Sequence, residues 1–306
     1  LIPVVCAQDI TALVRALPGS VAQGLIWGIM AIGVFLTFKI LDFADLTVDG
    51  TMATGGVVTV MLILKGWNPV AAVAVAFVAG MLAGLITGIL HTVLGIPDIL
   101  AGILTQLSLY SINLNISEGK ANQAVNVDMY KLVVSGRDNP AAIVTVVIIL
   151  LVVIALMYWF FGTELGCSLR ATGCNPNMSR AQGINTNRNK VLGLMISNGL
   201  VGLSSALLAQ YQGFADVNMG RGSIVIGLAA VIIGEAIFGR IFRNFALRLL
   251  AVIFGSILYY LVLQIVIWMG IDTDLLKMLS ALVVAFFLAF PYWKGKYFTK
   301  AKQGGK

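Results

Sequence analysis

Long apolar runs, broken by short polar stretches, fill this chain from about residue 21 to residue 291. A helix needs about 20 mostly apolar residues to cross the hydrocarbon core of a bilayer. On that measure nine spans are predicted, near residues 21–41, 51–64, 69–91, 98–116, 141–161, 191–211, 223–238, 246–269 and 275–291. The second and seventh are short, and each follows a polar stretch containing glycine. The pattern predicts an all-α, polytopic membrane bundle in which residues 1–306 form a single transmembrane domain. In the third span Gly80, Gly84 and Gly88 recur at steps of four, which lets a neighbouring helix approach closely. The run from Leu1 to Gln8 reads as the tail of an apolar segment or of a signal sequence.

Composition sharpens this picture. Hydrophobic residues make up 59% of the chain and charged residues 11%, against roughly 25% charged in soluble domains. A soluble fold could not hide that much apolar surface and still carry a polar skin. A soluble enzyme, a nucleic-acid-binding module and a disordered chain are therefore excluded. The net charge of +7 becomes a question of sidedness. Residues 162–190 carry Arg170, Arg180, Arg188 and Lys190 against Glu164, and residues 239–248 carry Arg240, Arg243 and Arg248 with no acid. The tail beyond Tyr292 carries Lys294, Lys296, Lys300, Lys302 and Lys306, also with no acid. The positive-inside rule assigns all three to the cytoplasm, and a count of nine spans independently puts them on one side. It places residues 42–50 inside as well, and the N-terminus, 117–140 and 212–222 outside. A multi-pass protein of the cell (inner or cytoplasmic) membrane is expected. Cys6, Cys167 and Cys174 are odd in number and match no metal-ligand spacing, so no disulfide framework is expected.

Candidate chemistry lies in polar residues within or beside spans. Phe43-Ala44-Asp45, ahead of the second span, is echoed by Phe214-Ala215-Asp216 ahead of the seventh. Similar stretches on opposite sides of a membrane are a mark of inverted repeats, whose short segments flank transport sites; chance is the other reading. Asp45, Asp49 and Asp216 read either as helix N-caps or as acids facing a substrate cavity. In the fourth span Gln106, Tyr110 and Asn113 share one helix face, with Ser108, Ser111 and Asn115 on a neighbouring stripe. Such a helix lines a pathway or ties to another helix through its amides, and two polar stripes favour the pathway. Asn198, deep in the sixth span, joins this set with Asp45 and Asp216. Glu235 is expected in an interfacial ion pair with Arg240 or Arg243, and Lys39 is expected to snorkel to the inner surface. No phosphate-binding loop of the form G-x-x-x-x-G-K-[ST] occurs, and a single histidine, His91, makes enzymatic work improbable.

Residues 162–190 form a long inner segment with helical pieces divided at Gly173 and Pro176. Its run Gly166-x-x-Leu169-Arg170-Ala171-x-Gly173-x-Asn175, followed by Gly183-Ile184, resembles the cytoplasmic coupling loop of ABC importer permeases of the branched-chain amino acid and ribose permease family. The resemblance extends over about residues 20–290. Asp45-Leu46-Thr47-Val48-Asp49-Gly50 and the stretch from Leu109 to Leu114 are similar to the tryptophan-type, lipoprotein-dependent subgroup linked to aromatic amino acids. What this implies is a permease paired with a second copy or paralogue, two cytoplasmic ATPase subunits that hold ATP and Mg, and an external substrate-binding lipoprotein. No cofactor is expected in the chain itself. The resemblance also puts Arg170, Ala171, Gly173 and Asn175 at the ATPase contact, with Gly173 permitting a turn. The competing reading is an ion-coupled secondary transporter in which Asp45 or Asp216 serves the ion.

Overall fold

Helix α1 (Ile10–Phe35) opens the computed structural model, which describes residues 10–127, 130–239, 241–242 and 244–269, with isolated positions from 275 to 289. It continues through a π-helical turn, Leu36–Ile40. There follow α2 (Thr47–Leu64), α3 (Pro69–Thr92), α4 (Asp98–Ile116), β1 (Asn122–Ala124) and α5 (Asn139–Gly162). Then come α6 (Glu164–Cys174), α7 (Pro176–Ala181), α8 (Thr186–Gln212), β2 (Phe214–Asp216), α9 (Ser223–Phe238) and α10 (Phe245–Trp268). The sequence itself punctuates them. Asn68 accepts from the Val70 amide with Pro69 at the first helical position, Asn185 accepts from the Arg188 amide, and Gly213 ends α8 in the left-handed region.

Among the described residues seven helices are long and apolar enough to cross a membrane: α1 with its π turn, α2, α3, α4, α5, α8 and α10. The chain is thus an all-α, multi-pass membrane bundle, and its described residues hold seven of the nine expected spans at full length. The seventh predicted span is present as α9 but has only 16 residues, too few for a full crossing. Of the ninth, over 275–291, only isolated positions are described, and Leu1–Gln8, Arg240 and Arg243 fall outside the described residues.

Burial sorts the helices into a centre and a rim. The apolar windows of α2 and α8 are 78% and 72% buried, those of α4 and α5 only 28%. Small residues bring the central helices together. A Cβ on Gly80 or Gly84 of α3 would run into the backbone carbonyls of Asn198 or Leu194 on α8. The expected glycine steps are therefore a backbone-to-backbone seam, the way helices pack where lipid leaves little hydrophobic drive. Serine hydroxyls bolt the same centre together. Ser197 donates to the Gly33 carbonyl at 2.8 Å, Ser204 to the Ile26 carbonyl at 2.7 Å, and Ser205 to the Met52 carbonyl. Each satisfies a donor that lipid could not.

The loops meet as the alternation of sides requires. β1 and β2 pair antiparallel, with Asn122 opposite Asp216 and Ala124 opposite Phe214, so the two loops assigned outside form one ribbon. At the other end Lys39 Nζ meets Glu235 Oε2 at 2.9 Å, and Gly173 packs on the Ile40 carbonyl. Glu235 is thus in an ion pair with Lys39 of the π turn; Arg240 and Arg243, the partners expected from sequence, lie outside the described residues.

Candidate functional site

Two chain segments reach into the bundle from opposite ends. After the π turn, Asp42 adopts a left-handed φ of 52°, a conformation Asp tolerates better than most residues. The chain then turns inward. Asp45 is 2% exposed and accepts from Asn198 Nδ2 at 2.7 Å and from the Thr47 amide at 3.0 Å. Asn198 lies twelve residues into α8, about 18 Å along its axis at 1.5 Å per residue. Residues 42–50 therefore do not form a surface loop: Asp45 sits deep in the bundle, and α2 begins there. From the ribbon end, residues 217–222 descend in the same way, and Gly220 packs on the Asp49 carbonyl.

The two short helices start face to face. Asp49 Oδ2 accepts from the Gly222 amide, and Oδ1 accepts from the Ser223 hydroxyl and the Ile224 amide, all at 2.9 Å. Asp49 is thus an N-cap, though of α9 across the bundle and not of its own helix. Its carboxylate meets the positive end of the α9 dipole. From this point α2 runs to the Lys65–Asn68 turn, near Gln210, whose Nε2 donates to the Pro69 carbonyl. α9 runs the other way to Glu235.

Beside this junction lies a cavity of about 310 Å³ lined by Asp49, Gly50, Ala53, Gln106, Leu107, Tyr110, Asn113, Val217 and Arg221. The structure brings Gln106, Tyr110 and Asn113 together on its α4 wall. Asn113 is fully buried, and neither Nδ2 nor Oδ1 has a hydrogen-bond partner. A buried amide left unpaired costs roughly 1–3 kcal/mol. Arg221 forms no ion pair among the described residues, and its guanidinium lies 5.9 Å from the Tyr110 ring centroid. The wall thus offers one free cation, two amides, a phenol and an aromatic face, with Asp49 opposite, already partnered by the α9 terminus.

Asn198 and Asp45 are not on that wall. They form a buried link with Thr51, whose hydroxyl donates to Asn198 Oδ1 at 2.7 Å, and this link fixes the start of α2. Asp216 lies in β2, where its carboxylate accepts from the Asn218 amide at 2.6 Å. Sequence reasoning missed Arg221 altogether. Gly220-Arg221-Gly222 leads into a helix too short to cross the membrane, but only the fold brings that segment to the cavity. His91, given no role from sequence, pairs through Nε2 with Lys190 Nζ at 2.9 Å and tethers α3 to α8.

The inner segment is the helix pair α6–α7. Gly173 lies inside the last turn of α6, not at a turn of its own, and its small size matters for a different reason: a side chain there would strike Ile40 and Leu41. The break comes at Asn175, which is exposed and accepts from the Met178 amide to start α7. Arg170 turns toward the bundle, its guanidinium 5.1 Å from the Phe161 ring centroid and 4.4 Å from that of Phe245. Ala171 is half-buried, and Met178 is 63% exposed.

Residues 17–288 match the family model described as branched-chain amino acid transport system / permease component. The chain is 40% identical over 267 residues to a tyrosine transport system permease protein of Clostridioides difficile (strain R20291), covering 87% of this chain and 88% of the relative. An uncharacterized protein of Rickettsia prowazekii (strain Madrid E) is 35% identical over 87% of this chain and 94% of its own length. The autoinducer 2 import system permease protein LsrC of Yersinia pseudotuberculosis (serotype O:3, strain YPIII) is 29% identical over 70% of this chain and 60% of its own. No solved structure matches the chain.

Proposed function

The chain belongs to the branched-chain amino acid transport permease family, and from that premise we propose that it is the membrane subunit of an ATP-driven importer of an aromatic amino acid. The observation that carries this reading is the cavity wall, with its free guanidinium, its unpaired buried amide and its phenol. Arg221 pairs with the substrate carboxylate, the Asn113 and Gln106 amides hydrogen-bond it, and the Tyr110 ring stacks on its side chain. Asp49 faces the ammonium, weakly, because its charge is shared with α9. Weak binding suits a transit site, since the ligand must leave again. The tyrosine named for the Clostridioides relative is in keeping with an aromatic cargo.

In this reading an external binding lipoprotein delivers the cargo, and two ATPase subunits in the cytoplasm hold ATP and Mg. A second permease copy or paralogue completes the membrane unit, which resides in the cytoplasmic (inner) membrane. The ATPases dock on the exposed side of α6–α7, around Ala171, Asn175 and Met178. Gly173 bears on Ile40, Lys39 holds Glu235, and α9 carries displacement to the Asp49 cap beside the cavity. Nucleotide then shifts a balance between two packed states. Asp45 is held by Asn198 and Thr47, Asp49 by the α9 terminus and Asp216 by the Asn218 amide, so each has a structural role that needs no coupling ion. The test is uptake into proteoliposomes containing the permease, its ATPase and its binding protein. Tyrosine, phenylalanine or tryptophan should accumulate only with ATP, and leucine poorly. Accumulation driven by an ion gradient without ATP would overturn the proposal in favour of a secondary transporter.

A further inference from the structure

At the cytoplasmic end, a second cavity of about 310 Å³ is lined by Phe35, Lys39, Ile40, Arg170, Phe245 and Arg248. Three of these six residues are cations. The adjoining cavity shares Lys39 and Arg248 and adds one acid, Glu235. That acid is occupied by Lys39 at 2.9 Å, and among the described residues Arg170 and Arg248 have no ion-pair partner. Arg170 lies over the Phe161 and Phe245 rings, which touch each other with centroids 4.8 Å apart, and its Nε is buried without a hydrogen-bond partner. Contact with rings covers a face of a guanidinium and leaves its N–H edge to an oxyanion, the geometry in which arginine binds phosphate.

The surroundings say where the anion comes from. Ile237, Leu247 and Phe254 are exposed on α9 and α10, at 46%, 37% and 43%. Phe38, 44% exposed, belongs to the π turn beside Lys39. In a membrane protein these side chains meet acyl chains. A ligand with an anionic head and an apolar body matches both the cavity and its margin, and anionic lipids enrich the cytoplasmic leaflet.

We infer that this cavity binds the phosphate headgroup of an anionic lipid, held by Lys39, Arg170 and Arg248 where α6 meets α1 and α10. The site is separate from the substrate cavity, and its occupancy holds the coupling helix against the membrane bundle.

The experiment uses the purified full chain in a neutral detergent, with melting temperature followed during titration. The probes are dioctanoyl phosphatidylglycerol, dioctanoyl phosphatidylcholine and inorganic phosphate. Phosphatidylglycerol should raise the melting temperature saturably, with the other two inert at equal concentration. Arg248→Gln, which removes no hydrogen bond described within the protein, should shift the titration midpoint about tenfold higher, as expected for losing one charge-assisted contact. Arg248→Lys should restore most of the affinity, and Lys65→Gln at the opposite end should leave it unchanged. Lys39→Gln with Glu235→Gln removes the pair together and should weaken binding without leaving a lone acid. Equal midpoints in Arg248→Gln and the parent would overturn the inference. So would an equal effect of inorganic phosphate, which would make this a soluble-anion site. Loss of the phosphatidylglycerol effect on adding the ATPase subunit would overturn it too, by assigning these cations to acids of the partner.

Discussion

Asn113 and Asp49 are both polar residues at one cavity, yet they do opposite things for the fold. Asn113 carries two unpaired amide atoms at zero exposure. Replacing it with leucine, which has the same branched shape and can place its extra bulk in the adjoining cavity, removes that penalty, so Asn113→Leu should melt at the parent temperature or above. If the amide serves the cargo, the same variant should transport at least tenfold more slowly with basal ATPase activity intact. Thermal melting and uptake measured on one preparation check both halves. Asp49 satisfies three donors at the start of α9. Asp49→Ala should therefore cost about 1–2 kcal/mol, the value of a good N-cap, read as a lowered melting temperature. Asp49→Asn, which keeps the acceptor oxygen, should recover much of it. Equal stability of Asp49→Ala and the parent would mean the cap contributes little.

The elements were legible wherever one helix obeys one rule. The boundaries of α3, α4 and α9 lie within a residue of the apolar runs, because Asn68-Pro69, Pro97-Asp98 and Gly222-Ser223 mark their starts. The glycine steps of α3 announced its seam with α8. Gly84→Val should therefore abolish monodisperse protein in size-exclusion chromatography, since its side chain would meet the Leu194 carbonyl, while Gly162→Ala, with open space around it, should behave as the parent. The α4 stripe was legible too, because three polar residues at helical spacing must share a wall. Depth was not. Nothing in Phe43-Ala44-Asp45 says that the chain re-enters the bundle, for the descent is held by the contact of Asp45 with Asn198 of α8. The partner of Asp49 is 173 residues away, beyond the reach of any local pattern. Arg221 was invisible for the same reason: only the descent of residues 217–222 converts an external arginine into a cavity cation.

At the scale of the molecule, α6–α7 at one end and the cavity beside the junction of α2 and α9 are joined through contacts at Gly173, Lys39 and Asp49. A large acid at the half-buried Ala171 should disturb docking but spare the membrane fold. Ala171→Glu is expected to purify normally and to lose ATPase association in pull-down, and unchanged association would remove α6 from the interface. The central claim is that the α4 wall lines the route of the cargo. Thiol accessibility tests it most directly, in a background with Cys6, Cys167 and Cys174 replaced by serine and with the ATPase bound. Gln106→Cys, Tyr110→Cys and Asn113→Cys should react with a water-soluble thiol reagent in at least one nucleotide state. Leu109→Cys, packed against Gly50, should stay protected. Protection at all four positions in every state would contradict the account and make the stripe a buried helix contact.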